Sequence, residues 1–498
     1  LLALAAIPGS ILPQRSVSVE AVGRWYRDNP DVAPVVDRLG GFDVYASPWF
    51  SAIYLLLFVS LVGCVVPRLR DHLRALRSAP VDAPRRLSRL PQHASGLSHE
   101  SEPAAAAAAL HAGLRSRRWR SVVRSGDGSV TVSAEKGYLK ETGNLLMHTA
   151  MVAVLVGVAL GSWYGWHGNR IVVAGPDTRF CNVLQQYDEY GLGSRVDGSA
   201  LPRFCFTLTG FDAEYTEDGQ PLSFLAHGEV TEAGGAPRPA EFTVNSPLRL
   251  DGANMYLLGE GYAPVLRYTD RYGEAQTSTA PFLPIDSLGT AEGVSVFPDA
   301  NVDPQASGDR DRSLQVAFEG LYLPTAPDDA PVLVQSAHPQ ERSPLLVLFA
   351  YRGDLGIDDG TPQSVWILNQ SQLASGALQQ VGEPAFLRPG ETMTLDDGTT
   401  VEFVGTQRWI TVSVRYDPGE PIVLSGVALL LAGLVLSLTG RRRRVWFRLT
   451  PGDGGGSVVE AGGLPRSDYP GFPDEFAKLV GGLPLSSAPA LVPVARST

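Results

Sequence analysis

The chain alternates between a few continuous apolar runs and long stretches where apolar residues are scattered or alternate with polar ones. The most distinctive run is 144–166, NLLMHTAMVAVLVGVALGSWYGW, about 20 uncharged residues and so long enough to cross a bilayer as an α-helix. A second run, 48–66, is closed by Pro67-Arg68-Leu69-Arg70, and a third, 421–440, is stopped by Arg441, Arg442, Arg443 and Arg444. Residues 1–12 are apolar but too short to span. They read as the end of a first crossing helix whose beginning is missing, a signal-peptide remnant being the alternative. The expected fold class is therefore a multi-pass α-helical membrane protein with about four transmembrane helices, the first truncated, carrying a large extracytoplasmic all-β domain.

The polar segments give the sidedness. Residues 13–47 mix charge, Gly and Pro around a short helix near 17–27 and read as an extracytoplasmic loop. Residues 67–143 hold about twice as many Lys and Arg as acids, which marks a cytoplasmic loop. Within it, 103–114 has high helix propensity. Runs 119–124 and 129–133 alternate around Ser125-Gly126-Asp127-Gly128, a hairpin signal, so an α-β-β unit is expected. Residues 167–420 change character: short β-type runs (203–209, 241–244, 255–258, 332–335, 344–351, 410–416) separated by Gly, Pro, Asp and Asn, with acids about twice as frequent as Arg and no Lys. This is the expected extracytoplasmic β-rich domain, a sandwich or barrel. The tail 441–498, rich in Gly, Pro and Ser beyond 451, is expected to be cytoplasmic and largely disordered.

Composition narrows the chemistry. The net charge of −11 argues against nucleic acid as a partner. With 3 cysteines there is no disulfide scaffold; Cys64 lies in an apolar run, and Cys181 and Cys205 are a structural disulfide, a redox pair or two unpaired thiols. There is no phosphate-cradling loop with Lys, no HExxH, no CxxC and no nucleophile elbow, so no catalytic residue is assigned. The 8 histidines show no metal-ligand spacing. Those at 72, 93, 99 and 111 fall in the basic loop and are expected at the surface.

His148 differs because it sits about a turn inside an apolar span, where an imidazole is costly unless it meets a partner, water or a ligand. It is a helix-packing side chain, a proton relay or an axial ligand to haem iron. His167, where the helix meets the outer surface, is a second candidate ligand, though an interfacial imidazole is more often solvated. Trp163, Tyr164 and Trp166 read as an interfacial aromatic girdle.

Four segments together resemble one family: AAIPGSILPQ, GGFDVYASPWFSAIYLLLFVSLVGCVVPR, AEKGYLKETGNLLMHTAMVAVLVGVALG and VNSPLRLDGANMYLLGEGYAP. The chain resembles ResB, the cytochrome c biogenesis protein of system II, in its actinobacterial form, over 1 to about 449. The resemblance implies a plasma-membrane protein with four helices and a large outer domain, working with a ResC (CcsA) type membrane protein. Together they deliver haem b, held transiently, across the membrane and present it for covalent attachment to apocytochrome c. The chain would be part of a haem-ligating, holocytochrome c synthase-type complex rather than a stand-alone enzyme. Thiol-reducing proteins are a further partner class, and membrane lipids surround the helices. The family's transmembrane histidine, a haem ligand near the cytoplasmic side, maps onto His148. Some members carry His-Pro-Leu where this chain has Ser246-Pro247-Leu248, so any role for a histidine there is absent. Two other readings remain open: a membrane-anchored apocytochrome chaperone without haem ligation, and a sensor with an outer ligand-binding domain.

Overall fold

A computed structural model describes residues 2–15, 19–126, 128–303, 311–327, 335–359, 364–452, 455–466, 470–486 and 490–491. Most of the strand expected at 332–335, and Asp127 in the expected hairpin turn, lie outside them. The chain divides into two compact units, one of 1–160 with 418–498 and one of 161–417.

In the first unit, among the described residues, three helices are long and apolar enough to cross a membrane: Pro48–Arg77, Leu139–Tyr164 and Glu420–Thr439. Leu2–Ile11 is helical over 10 residues, below crossing length. The first span does not end at Pro67. It continues for about three turns to Arg77, since proline removes one backbone hydrogen bond and the neighbouring turns carry the helix past it. Residues 13–47 are built around buried Phe42, with Trp25 edge-on to it and Arg15 bridging Asp37 and Asp43.

The second and third spans approach each other closely. Gly143, Ala150 and Gly157 on one, and Gly426, Gly433 and Gly440 on the other, recur every seven residues and so keep to one face of each helix. A Cβ at Gly433 would lie 2.6 Å from the Met147 amide nitrogen and 2.8 Å from the Gly143 carbonyl oxygen. One at Gly143 would lie 2.5 Å from the Ser437 nitrogen. Between helices in lipid, where hydrophobic burial contributes little, such backbone approach is the main source of packing energy.

The segments flanking this helix pair form a sheet. Strand Ser129–Lys136, which leads into the second span, pairs antiparallel with Arg443–Pro451, which leaves the third. The six-stranded sheet is completed by Arg120–Gly126, Ser457–Pro465, Gln92–His99 and Ala490–Leu491, with helices Pro103–Ser116 and Phe472–Gly481 contributing to its core. Two expectations are corrected here. The loop unit is β-α-β-β rather than α-β-β, because Gln92–His99 adds a strand. The tail is not disordered over its described length: Val445, Phe447 and Leu449 alternate inward, and Phe472, Phe476 and Val480 bury against the same core. Those apolar side chains offset the entropy of ordering a Gly-rich segment.

The second unit is β-rich. Two 17-residue strands, Ala253–Thr269 and Thr400–Tyr416, pair antiparallel along their whole length. Half of this ribbon (Met255, Leu257, Ile410, Val412, Val414) packs with Phe206, Leu208 and Phe242 of a four-stranded sheet. The other half (Leu266, Tyr268, Val401, Phe403) packs with Phe318, Leu346 and Leu348 of a five-stranded one. Two successive cores thus share one ribbon, with register shifts between Leu257 and Gly259 and between Val265 and Leu266. At the junction Arg408 pairs with Glu260 at 2.6 Å, lies 4.2 Å over the Tyr262 ring and is held protonated: burial opposes its charge, and the Glu260 carboxylate outweighs that. Cys181 and Cys205, directly opposite on paired strands, form a disulfide. Trp166 is in the first of these cores at 6 % exposure and so leaves the expected girdle, whereas Trp163 and Tyr164 are exposed, with Arg195 stacked over both.

The helix seam sets the first prediction. Gly433→Val should destabilise the helix pair by about 1–3 kcal/mol through forced separation. Gly63→Val on the first span, where a Cβ meets nothing within 4 Å, should leave the melting temperature in detergent nearly unchanged. Equal melting shifts for the two would refute the seam.

Candidate functional site

His148 is half-buried in the second span. Its Nδ1 lies 2.7 Å from the backbone carbonyl oxygen of Asn144, one turn back. A carbonyl only accepts, so Nδ1 carries the proton and Nε2 keeps the lone pair. Metal-ligating histidines are commonly oriented this way, by a carbonyl on the nitrogen that does not ligate. Among the described residues Nε2 has no hydrogen-bond partner.

Most other histidines are spent within the protein. His338 is buried, accepts from the Gln340 amide at Nδ1 and donates from Nε2 to the Thr216 carbonyl. His227 bridges Asp212 and Glu241, chiefly through Asp212, and these carboxylates raise its pKa. His93 reaches Glu460 at 2.9 Å, and His111 reaches Ser121 at 2.9 Å. His167 lies on strand Trp166–Val173 of the second unit with its ring over Gly191, where a Cβ would come within 2.5 Å of it. His148 and His167 thus belong to different units. Among the described residues no three His, Cys, Asp or Glu side chains gather as a metal site.

One expectation fails. His72 is 8 % exposed, not at the surface, because the first span runs on past Pro67 and lays it against the start of the second. Its Nε2 is 3.0 Å from Thr142 Oγ1, and its Nδ1 is 3.7 Å from Glu141 and without a hydrogen bond. It lines a cavity of about 660 Å³ where the three spans meet the sheet, together with Asn144, Leu145, Ser437 and several basic residues. The volume is that of a small-molecule site. The backbone of Asn144 orients His148 and its residue lines this cavity; His148 itself is one turn, about 6 Å, further along the axis.

Beside the cavity, Glu135 (2 % exposed) pairs with Arg444 at 2.6 Å and Arg442 at 3.6 Å and accepts from the Tyr138 hydroxyl. Arg442 also binds Glu141 and lies 4.4 Å over the Tyr138 ring. Burial works against the Glu135 charge, and Tyr138, Arg444 and Arg442 outweigh it, so its pKa falls below the usual carboxylate range.

The model of the ResB-like family matches residues 1–477. The chain belongs to that family. Similar proteins include the cytochrome c biogenesis protein CcsB of Synechococcus sp. (strain RCC307), 26 % identical over 491 residues and covering 97 % of this chain and 92 % of the relative. The protein of the same name from Gloeobacter violaceus is 24 % identical, with 96 % and 86 % covered, and that of Synechococcus sp. (strain WH7803) is 26 % identical, with 98 % and 94 % covered. Membership over nearly the whole chain bears out the resemblance read from the sequence segments.

The ion-pair cluster generates a second prediction. A carboxylate with a lowered folded-state pKa contributes stability that is present above its unfolded pKa and lost as pH falls through the folded value. Glu135→Gln should cost about 3–5 kcal/mol near neutral pH, since it leaves the largely buried Arg444 without a carboxylate and Arg442 with Glu141 alone. It should also flatten the loss of stability between pH 5 and more acidic conditions, about the range where carboxylates titrate. Thermal melts of both proteins across that range check this; parallel curves would remove Glu135 from the account.

Proposed function

We propose that this ResB-like protein acts in cytochrome c biogenesis as the haem-handling membrane subunit, with His148 as an axial ligand to haem iron near the inner leaflet. The observation that carries the reading is the His148 imidazole itself: in an apolar helix, tied at Nδ1 by the Asn144 carbonyl, with Nε2 left for a ligand. Haem is cargo, and iron supplies the bond that holds it to the helix. The chain's residues orient the ring, keep its proton on Nδ1, and surround it with a low-dielectric wall.

The proposed topology has four crossings, with Leu2–Ile11 as the outer part of the first. The basic sheet unit is cytoplasmic and the Lys-free β unit outside, in the plasma membrane. The Cys181–Cys205 disulfide supports an oxidising compartment for the latter. A ResC or CcsA type protein supplies the second iron ligand, and the outer unit docks apocytochrome c for thioether formation; thiol-reducing proteins keep the acceptor cysteines reduced.

The test is the absorption spectrum of the chain purified with its partner. His148→Ala should lose the haem Soret band and holocytochrome c, and His148→Gly should recover both with added imidazole. Full haem retention in His148→Ala would make the histidine a packing residue and the chain a scaffold. His167 is the second candidate, and the same spectrum on His167→Ala decides it: retained haem means its ring only packs on Gly191.

A further inference from the structure

The cavity at the end of the spans has a charge pattern that helix packing does not require. Arg68, Lys140 and Arg466 line it and, among the described residues, make no ion pair. Its two acids already have partners: Glu141 binds Arg442 in the same wall and stands 3.7 Å from His72 Nδ1, and Asp71 pairs with Arg74 at 3.4 Å. Two polar atoms in the wall are buried without hydrogen-bond partners, His72 Nδ1 and Arg442 Nε, on side chains 7 % and 11 % exposed. The Thr142 hydroxyl is 3.1 Å from the Tyr138 carbonyl and donates to it. It therefore accepts from His72 Nε2, which leaves Nδ1 without a hydrogen bond in the cavity wall, 3.7 Å from Glu141, as a position for a shared proton.

Three unpaired cations and two orphaned polar atoms around one opening describe a site for an anion with more than one oxygen. A solvated basic face would not bury His72, and a packing histidine would not leave one nitrogen unsatisfied. The basic residues come from the first span (Arg68), the second span (Lys140) and the end of strand Ser457–Pro465 (Arg466), so a bound anion would tie both spans to the sheet.

We propose that this cavity is the carboxylate-binding end of the haem path: Arg68, Lys140 and Arg466, with His72, hold the propionates of the porphyrin whose iron His148 takes. This rests on the haem reading above but concerns different residues and a different part of the ligand. Asn144 joins the two ends, its backbone holding His148 and its residue lining the anion site. The porphyrin would be selected by its acid groups before its metal is ligated.

The experiment uses the full chain in phosphatidylcholine nanodiscs and two iron-free probes, protoporphyrin IX and its dimethyl ester, read by fluorescence titration. Without iron, ligation by His148 plays no part, so failure of one proposal can be told from failure of the other. The diacid should bind about tenfold or more tightly than the diester, the worth of one good charge-assisted contact. Arg68→Gln, Lys140→Gln and Arg466→Gln should each weaken the diacid several-fold and leave the diester unchanged, with Arg68→Lys and Arg466→Lys near the parent as controls for folding. His148→Ala should not affect the diacid while abolishing the Soret shift of iron protoporphyrin. Equal affinity for diacid and diester, or variants that shift both probes alike, would overturn the assignment. So would Gln variants that lose co-purified anionic phospholipid while diacid binding is unchanged, since the anion would then be a lipid phosphate.

Discussion

The contact between the second and third spans is the constraint on which the first unit depends. Roughly 250 residues separate these helices in the chain, yet Gly or Ala at every seventh position brings their backbones within van der Waals reach. In lipid there is no aqueous phase from which to drive apolar faces together, so the fit of backbone on backbone has to supply the association. Once made, it sets the strands that continue from the two helices side by side, and Ser129–Lys136 pairs with Arg443–Pro451 in register from Val130 opposite Leu449 to Lys136 opposite Arg443. The basic run after the third span is consequently more than a stop signal. Arg442 and Arg444 close on Glu135, and Arg443 reaches Glu475 at 2.7 Å.

The same seam fixes which way His148 faces. At about 100° per residue, Gly143, Ala150 and Gly157 lie within a narrow stripe, and His148 falls about 160° from Ala150. A side chain on the seam would be crushed; one on the far face is available to the first span and to a ligand. Tyr54 of the first span donates its hydroxyl to the Leu155 carbonyl, one heptad from His148. The first span therefore runs along the histidine's side of the helix, and its extension past Pro67 carries Arg68 and His72 to the cavity. Packing on one face leaves His148 on the other, where the proposed ligand would be taken, and both follow from one choice of small residues.

Much of this was legible from the chain because it depends on local chemistry. Apolar run length marked all three helices long and apolar enough to cross a membrane, the alternation around Ser125-Gly126 marked the hairpin that pairs Val123 with Val132, and an imidazole in an apolar run singled out His148 as a candidate. What escaped depends on partners distant in sequence. The tail looked disordered because Gly, Pro and Ser dominate its composition, although Val445, Phe447 and Leu449 alternate as a half-buried strand must. His72 looked exposed because it follows a proline and sits among arginines; only the neighbouring Thr142 and Glu141 reveal why it is buried. The glycine spacing was present in the sequence, but a repeat of seven carries meaning only once two helices are known to face each other.

The second unit shows how one ribbon can serve two cores. Side chains on a strand alternate faces with period two, so a single regular ribbon would present the same face along its full length. The shifts near Leu257 and Val265 break that alternation and hand successive halves to different sheets. Between them the backbone must pass a zone that belongs fully to neither core, and there the chain places Arg408 and Glu260 with Tyr215 donating to the carboxylate at 2.7 Å. A charge pair is tolerable there because each partner is about four-fifths buried and the aromatic faces of Tyr262 and Phe211 cover the guanidinium at 4.2 and 5.1 Å. An aliphatic pair would favour one core or the other and blur the register; a paired charge has one arrangement that satisfies it, and so holds the boundary in place.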